Sequence, residues 1–226
     1  MANAETKAQL LICAEPNPGL ATRLTGFLAE RLGSLPEGER TGRVLVRLLD
    51  DPMRSHVTDG RPAYEAVVEF GPLADPSLLI GCLQDTATAL YGAVDIDRSA
   101  VIAGRTDTIK PGTGDLQLSF VMSRRPDLSA AEFHRYWLDV HAHHARTEFF
   151  LGYHQFHGNS ELSATLASAA GFPRSDVDGV AECYLESVAG FSADPPTERG
   201  DRVNFSDGTT EVGVILRTIS NIPWSQ

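Results

Sequence analysis

Six of the chain's seven histidines lie between His134 and His157: His134, His141, His143, His144, His154 and His157. Histidine has the side-chain pKa closest to neutral, so it suits proton transfer and metal ligation. The cluster begins in a helical pattern and ends on a strand pattern. At about 100° per residue, Phe133, Trp137, Val140 and His144 point one way and form the expected buried stripe. His134 and His141 lie along one flank, His143 along the other. On the following strand, alternation puts Leu151, Tyr153, Gln155 and His157 on one face, with His154 and Phe156 on the other.

A helix beside that strand brings His141 or His144 near Tyr153, Gln155 and His157. Such a group supplies an acid or base, a phenol that donates to a developing oxyanion and an amide that orients a polar substrate. His141 is the expected proton-transfer residue. Tyr153 and His157 are expected to stabilise charge or position the substrate. The expected substrate contacts are Gln155, His144, Trp137, Phe133 and Glu182. Phe133, Trp137, Phe149, Phe150 and Phe156 are expected to wall an apolar pocket, which lowers histidine pKa values by desolvation. A single buried histidine is more often a satisfied structural group, and Tyr153 alone reads equally well as a strand aromatic. Only the grouping points to a site.

Metal chemistry is the sharper alternative: His141 and His144 at i, i+3, joined by His157 or Glu182. HxHH is not an established metal spacing and no HExxH occurs, so no metal is expected. Haem ligation ranks lower still. Gly112-Thr113-Gly114 does not lead from a strand into a glycine-rich helix start, which argues against a dinucleotide. No serine sits in GxSxG. No cofactor is expected.

The net charge of -11, with no basic run, disfavours nucleic acid and anionic membranes as partners. No stretch is long and apolar enough to span a membrane. The opening MANAETKAQL lacks the basic start and apolar core of a signal peptide. Cys13, Cys82 and Cys183 each sit in apolar surroundings, as buried free thiols do. The expectation is a soluble protein of a reducing cytoplasm.

The elements that position the cluster read as one theme twice. Strands are expected at Lys7–Ala14, Arg43–Leu49, Tyr64–Phe70 and within Ala93–Ala103. Helices are expected at Gly19–Leu35, where Leu20, Leu24, Phe27, Leu28 and Leu32 make an apolar face, and from Asp75 through Tyr91. Thr108–Asp115 reads as a linker. A second β-α-β-β-α-β order follows. Its strands are Leu116–Met122, Phe149–His157, Gly179–Glu186 and Thr210–Thr218. Its helices are Ser129–Ala145, opened by a Ser129/Glu132 capping box, and a short one from Ser187 to about Arg199. The predicted class is α+β: tandem ferredoxin-like units, residues 1–110 and 111–226, packed sheet to sheet as a barrel or sandwich.

From Leu118 to about Ile219 the chain resembles the EthD-like family of dimeric α/β-barrel proteins. The likeness rests on Arg125-Pro126, Leu128-Ser129, Glu132-Phe133, Trp137, Val140-His141, Tyr153-x-Gln155-x-His157, Asp178-Gly179 and Ala181-Glu182. His143 and His144 exceed that pattern. The first half matches weakly and carries only the outlying His56. The resemblance implies ferredoxin-like folding and self-association through sheets, hence a homodimer. It also implies cofactor-free lyase, dehydratase or isomerase chemistry on an apolar or aromatic oxygenated metabolite. An accessory small-molecule binder and a cofactor-free monooxygenase are the alternatives.

Overall fold

The computed structural model describes residues 6–53, 64–144, 149–189 and 200–222. Among the described residues eight strands carry the fold: β1 (Thr6–Cys13), β2 (Gly42–Arg47), β3 (Ala66–Leu73), β4 (Asp95–Lys110), β5 (Leu116–Met122), β6 (Gly152–Gly158), β7 (Gly179–Leu185) and β8 (Val212–Ile222). They close into an antiparallel barrel in the order β1-β3-β2-β8-β5-β7-β6-β4, with β4 returning to β1. The first four strands run β4-β1-β3-β2 and the last four β8-β5-β7-β6, the same relative order. The seams are β2 with β8 and β4 with β6. Each half therefore caps the open edges of the other, as closure requires. The sheet edges through which self-association was expected are paired within the chain.

Closure corrects the expected linker at Thr108–Asp115. β4 runs on to Lys110 because its end pairs with β6, Asp107 opposite Gln155 and Lys110 opposite Tyr153. Backbone groups that would otherwise need water find partners there.

Among the helices, α1 (Leu20–Gly33) buries Leu20, Leu24, Phe27, Leu28 and Leu32, the apolar face read from the sequence. The single helix expected from Asp75 through Tyr91 is instead α2 (Leu78–Leu83) and α3 (Thr86–Ala89). Asp85 separates them at φ 56, a left-handed conformation that no helix continues through. α4 (Ala130–Tyr136) starts at the Ser129/Glu132 capping box. A π-helical turn, Trp137–His141, follows and leads into α5 (Ala142–His144).

The second unit departs from the expected order. α6 (Ser160–Ala170) stands between β6 and β7, where no helix was expected. The Asn159 side chain accepts from the Glu161 and Leu162 amides, and Gly171 closes the helix at φ 77. The helix expected from Ser187 falls largely on residues 190–199, outside the described residues, and Ser187–Ala189 are not helical. A 3₁₀ turn follows at Gly200–Asn204.

Alternation along the strands sorts the apolar side chains into three layers. Leu11, Leu45, Val67, Ile102, Val121, Phe156, Val180 and Val214 come from all eight strands and face one another inside the barrel. Outside, Leu10, Val44, Val68 and Val101 pack under α1. Leu166, Ala167 and Ala170 of α6 join that layer, so the second half covers the first. Leu118, Met122, Tyr153, Cys183 and Ile215 pack under Phe133, Trp137 and Phe205. All three cysteines are buried and free. Among the described residues no helix is long and apolar enough to cross a membrane.

Candidate functional site

The histidine-rich strand β6 is two-sided, and its sides serve different regions. Tyr153, Gln155 and His157 face outward under α4; His154 and Phe156 face into the barrel, as alternation requires. Glu182 is the register partner of His154 and faces inward with it. Grouped from sequence with Gln155 and His157, Glu182 lies on the opposite side of the barrel wall.

The outward side holds a buried hydrogen-bonded chain. His134 and His157 meet Nδ1 to Nδ1 at 3.0 Å, and His157 Nε2 faces Gln155 Oε1 at 3.2 Å. Gln155 Nε2 donates to the Trp137 carbonyl (3.0 Å) and to the Tyr153 hydroxyl (3.1 Å). The indole N–H of Trp137 donates to the same hydroxyl at 3.3 Å. The amide orientation follows from the Trp137 carbonyl, which only the –NH₂ can face. In the π-helical turn that carbonyl also accepts from the Ala142 amide, five residues on. Gly179 gives the Trp137 ring its place on the sheet, since a Cβ there would run into the indole.

Proton counting constrains the two histidines. His134 Nε2 faces the Gly158 carbonyl at 3.0 Å and His157 Nε2 faces an amide oxygen, so each contact needs an N–H. One further proton completes the Nδ1 pair. Full satisfaction thus means three protons on two rings, one positive charge. Burial opposes it. Desolvation pushes His157 down to about 3, aided by repulsion from His134 and Arg105. Desolvation also lowers His134. Asp107 Oδ2, 3.6 Å from His157 Nε2, favours the charged form, but burial outweighs it, so the resting pair is neutral at pH 7 and one of the three contacts lacks its proton.

This side holds core rather than a cavity. Trp137, Phe133 and Gln155 have no exposed surface. Ring centroids of Phe133 lie 5.6 Å from Trp137 and 5.7 Å from Phe205. Desolvation raises the Tyr153 pKa, which keeps its phenol protonated. His141 is half-buried at the end of the π turn, its ring 5.1 Å from that of Phe205. The extra residue of that turn rotates Val140, expected on the buried stripe, out to 36% exposure. Phe149 is exposed, and the side chain of His144 lies outside the described residues, as does His56.

The inward side opens at one end of the barrel into a cavity of about 740 Å³. Lys7, Arg43, Glu69, His154, Glu182 and Tyr184 line it from β1, β2, β3, β6 and β7. Lys7 Nζ donates to Glu182 Oε1 (2.5 Å) and lies 3.5 Å from Glu69 Oε1. Arg43 Nη2 donates to Glu69 Oε2 at 2.7 Å. Gln9 Nε2 bridges both carboxylates, at 3.1 Å from Glu69 and 2.7 Å from Glu182. Two cations and two carboxylates so neutralise one another where solvent barely reaches, the condition under which buried charge is tolerated. Arg43 and Lys7 hold the Glu69 carboxyl down at about 2 against its desolvation. The His154 ring meets Tyr184 edge-on at 5.1 Å. Desolvation lowers His154, partly offset by Glu182. At neutral pH the cavity therefore presents a neutral imidazole and, at Tyr184, a phenol kept protonated by burial.

Sequence reading missed this cavity except for Glu182. Its signal was present: alternate positions Lys7, Gln9 and Leu11 mix charge with apolar residues, on a strand whose other face is wholly apolar. Among the described residues no group of three or more potential ligands gathers to hold a metal ion.

Residues 125–209 match the EthD domain. The EthD match spans α4, the π turn, β6, α6 and β7, and so contains both His154 and His157. Two solved structures are similar over nearly the whole chain, and both are described as putative monooxygenases. The one from Fusobacterium nucleatum subsp. nucleatum is 10% identical with TM-score 0.49, covering 98% of this chain and 95% of its own. The one from Lactobacillus acidophilus is 10% identical with TM-score 0.42, covering 97% and 98%. No curated protein matches the chain.

Proposed function

We propose that the protein is an acid–base enzyme for a small oxygenated molecule, with the barrel mouth as its active site. The reaction class is proton relocation, as in a lyase, dehydratase or isomerase. The observation that carries this reading is the neutral His154 at a cavity that also holds fixed cations and a protonated phenol. His154 takes the proton from substrate. Tyr184 donates to the oxygen on which charge develops, and the Arg43 guanidinium stabilises that charge. Glu182 and Glu69 hold the cations in place. The His134–His157–Gln155–Tyr153 chain supports β6 from outside. The matching strand order of the two halves supports a duplicated ferredoxin-like unit, with α6 an insertion in the second copy.

Proton abstraction is tested without knowing the product. The protein is incubated in D₂O with a panel of small hydroxycarbonyl compounds, and proton NMR follows loss of the C–H signal next to the carbonyl. Exchange that His154→Gln abolishes supports the reading. No exchange in any compound, or exchange indifferent to His154→Gln, overturns it.

A further inference from the structure

The cavity wall is not the apolar, aromatic surface that the flanking sequence suggested. Phe133, Trp137 and Phe156 are spent on core packing. Around the charged floor stand the hydroxyls of Thr41, Thr106, Thr108, Thr113 and Thr218 and the amide of Asn221. Glu182 has no exposed surface, and its Oε2 lies 3.9 Å from Arg43 Nη2, too far for a hydrogen bond, so it accepts none among the described residues; the buried Oγ1 of Thr106 has no hydrogen-bond partner there either. Both residues line the cavity. A buried carboxylate oxygen left without a donor is costly, so a ligand that brings one gains a charge-assisted hydrogen bond.

We propose that the ligand of this cavity is a neutral, polyhydroxylated molecule of monosaccharide or cyclic-polyol type; this rests on the barrel mouth being the active site. Three features select for it. The unmatched acceptor calls for an O–H or N–H donor. The cations that line the cavity are already paired, Lys7 with Glu182, Arg43 with Glu69 and Arg105 with Asp107, and Asp115 stands exposed at the edge, so an anionic ligand would be left unbalanced and a cationic one has no unpaired carboxylate on the buried floor. Threonine hydroxyls both donate and accept, which matches successive hydroxyl groups whose roles alternate. A polyol that already carries a carbonyl would then present to His154 an acidic C–H next to that carbonyl, with a leaving hydroxyl on the following carbon. In the dehydration the base removes that C–H proton, hydroxide leaves with a proton from an acid, and the resulting enol becomes the ketone with no oxidant or reductant.

Saturation-transfer NMR with myo-inositol, methyl α-glucoside, p-cresol, acetate and methylammonium tests the ligand class. The two polyols should bind saturably and the other three should not. Thr106→Val, which keeps side-chain shape, should weaken polyol binding by about threefold to tenfold, the worth of one hydrogen bond. Glu182→Gln should weaken it by about tenfold or more, through loss of a charged acceptor. If Glu182→Gln fails to fold, Thr106→Val decides alone. Binding of p-cresol or of an ion in place of the polyols overturns the proposal. So does an absence of polyol binding, or polyol binding indifferent to Thr106→Val. Polyol binding with no deuterium exchange in any hydroxycarbonyl compound would leave the ligand class standing and remove the catalytic reading.

Discussion

His154 and His157 stand three residues apart on β6 and face opposite sides of the barrel wall. One lines a solvent-connected cavity; the other is sealed under Trp137. Their chemistry must differ accordingly, and substitution separates them. In the D₂O exchange assay, His154→Gln should lower the rate by about 10²–10⁴, the range for loss of a general base. His157→Gln and His141→Gln should each change it by less than about tenfold, since neither lines the cavity. The parent rate should rise with pH to a plateau, because a base works once deprotonated. Its midpoint should fall below 6.5, the direction in which burial moves His154.

Stability should fall in mild acid. An unfolded histidine binds a proton as pH drops below 6.5, whereas folded His157 resists until about 3. The unfolded state thus holds more protons across that window, and folding weakens as pH falls through it. Glu69, held at about 2 against 4.5, adds its own loss below 4.5, so the histidines are read between pH 6.5 and 4.5. Unfolding free energies from urea titrations there should decline by up to about 1.4 kcal/mol per pH unit for each such histidine. His157→Gln should flatten the decline. A slope unchanged by that substitution would mean the His134–His157 pair already shares its extra proton in the folded protein.

Gln155 joins three buried groups, so its loss should be felt in stability. Gln155→Met keeps the volume but leaves the Tyr153 hydroxyl, His157 Nε2 and one approach to the Trp137 carbonyl without the amide. The expected cost is about 2–4 kcal/mol, from more than one buried polar group left unsatisfied. Equilibrium urea unfolding measures it, and a cost below about 1 kcal/mol would mean the chain relaxes to new partners.

Lys7 and Glu182 join β1 to β7 across the barrel interior. Lys7→Met leaves Glu182 buried beside Glu69 with one cation fewer, at a cost of roughly 3–5 kcal/mol. Lys7→Met combined with Glu182→Gln should recover at least about half of that loss, because the stranded charge is gone. A double-mutant cycle on unfolding free energies checks this. Simple additivity would show that the pair is not coupled.

Local sequence determined the elements whose side chains repeat at short range. The α1 stripe, the Ser129/Glu132 capping box, the β5 strand at Leu116–Met122 and the two faces of β6 follow from periods of 3.6 and 2. α6 was also written there, in the Asn159 cap, Leu162, Leu166 and Ala170 at intervals of four, and Gly171. Its face is mostly alanine and serine, however, and buries against β4 of the other half. Its stability comes from packing rather than from its own pattern.

What only the tertiary structure decided is which side of each strand becomes the interior. Alternation states that His154 and His157 oppose each other; it cannot state which one meets a cavity. That depends on closure through the β2–β8 and β4–β6 seams, which brings Lys7 within 2.5 Å of Glu182 although 175 residues separate them in sequence. The π turn is equally invisible locally, because it exists to meet Gln155 from another strand. The residue types for acid–base chemistry were legible in the chain. Their division into a sealed support and an open site was made by the closing of the barrel, because long-range strand pairing leaves no periodic trace in either partner.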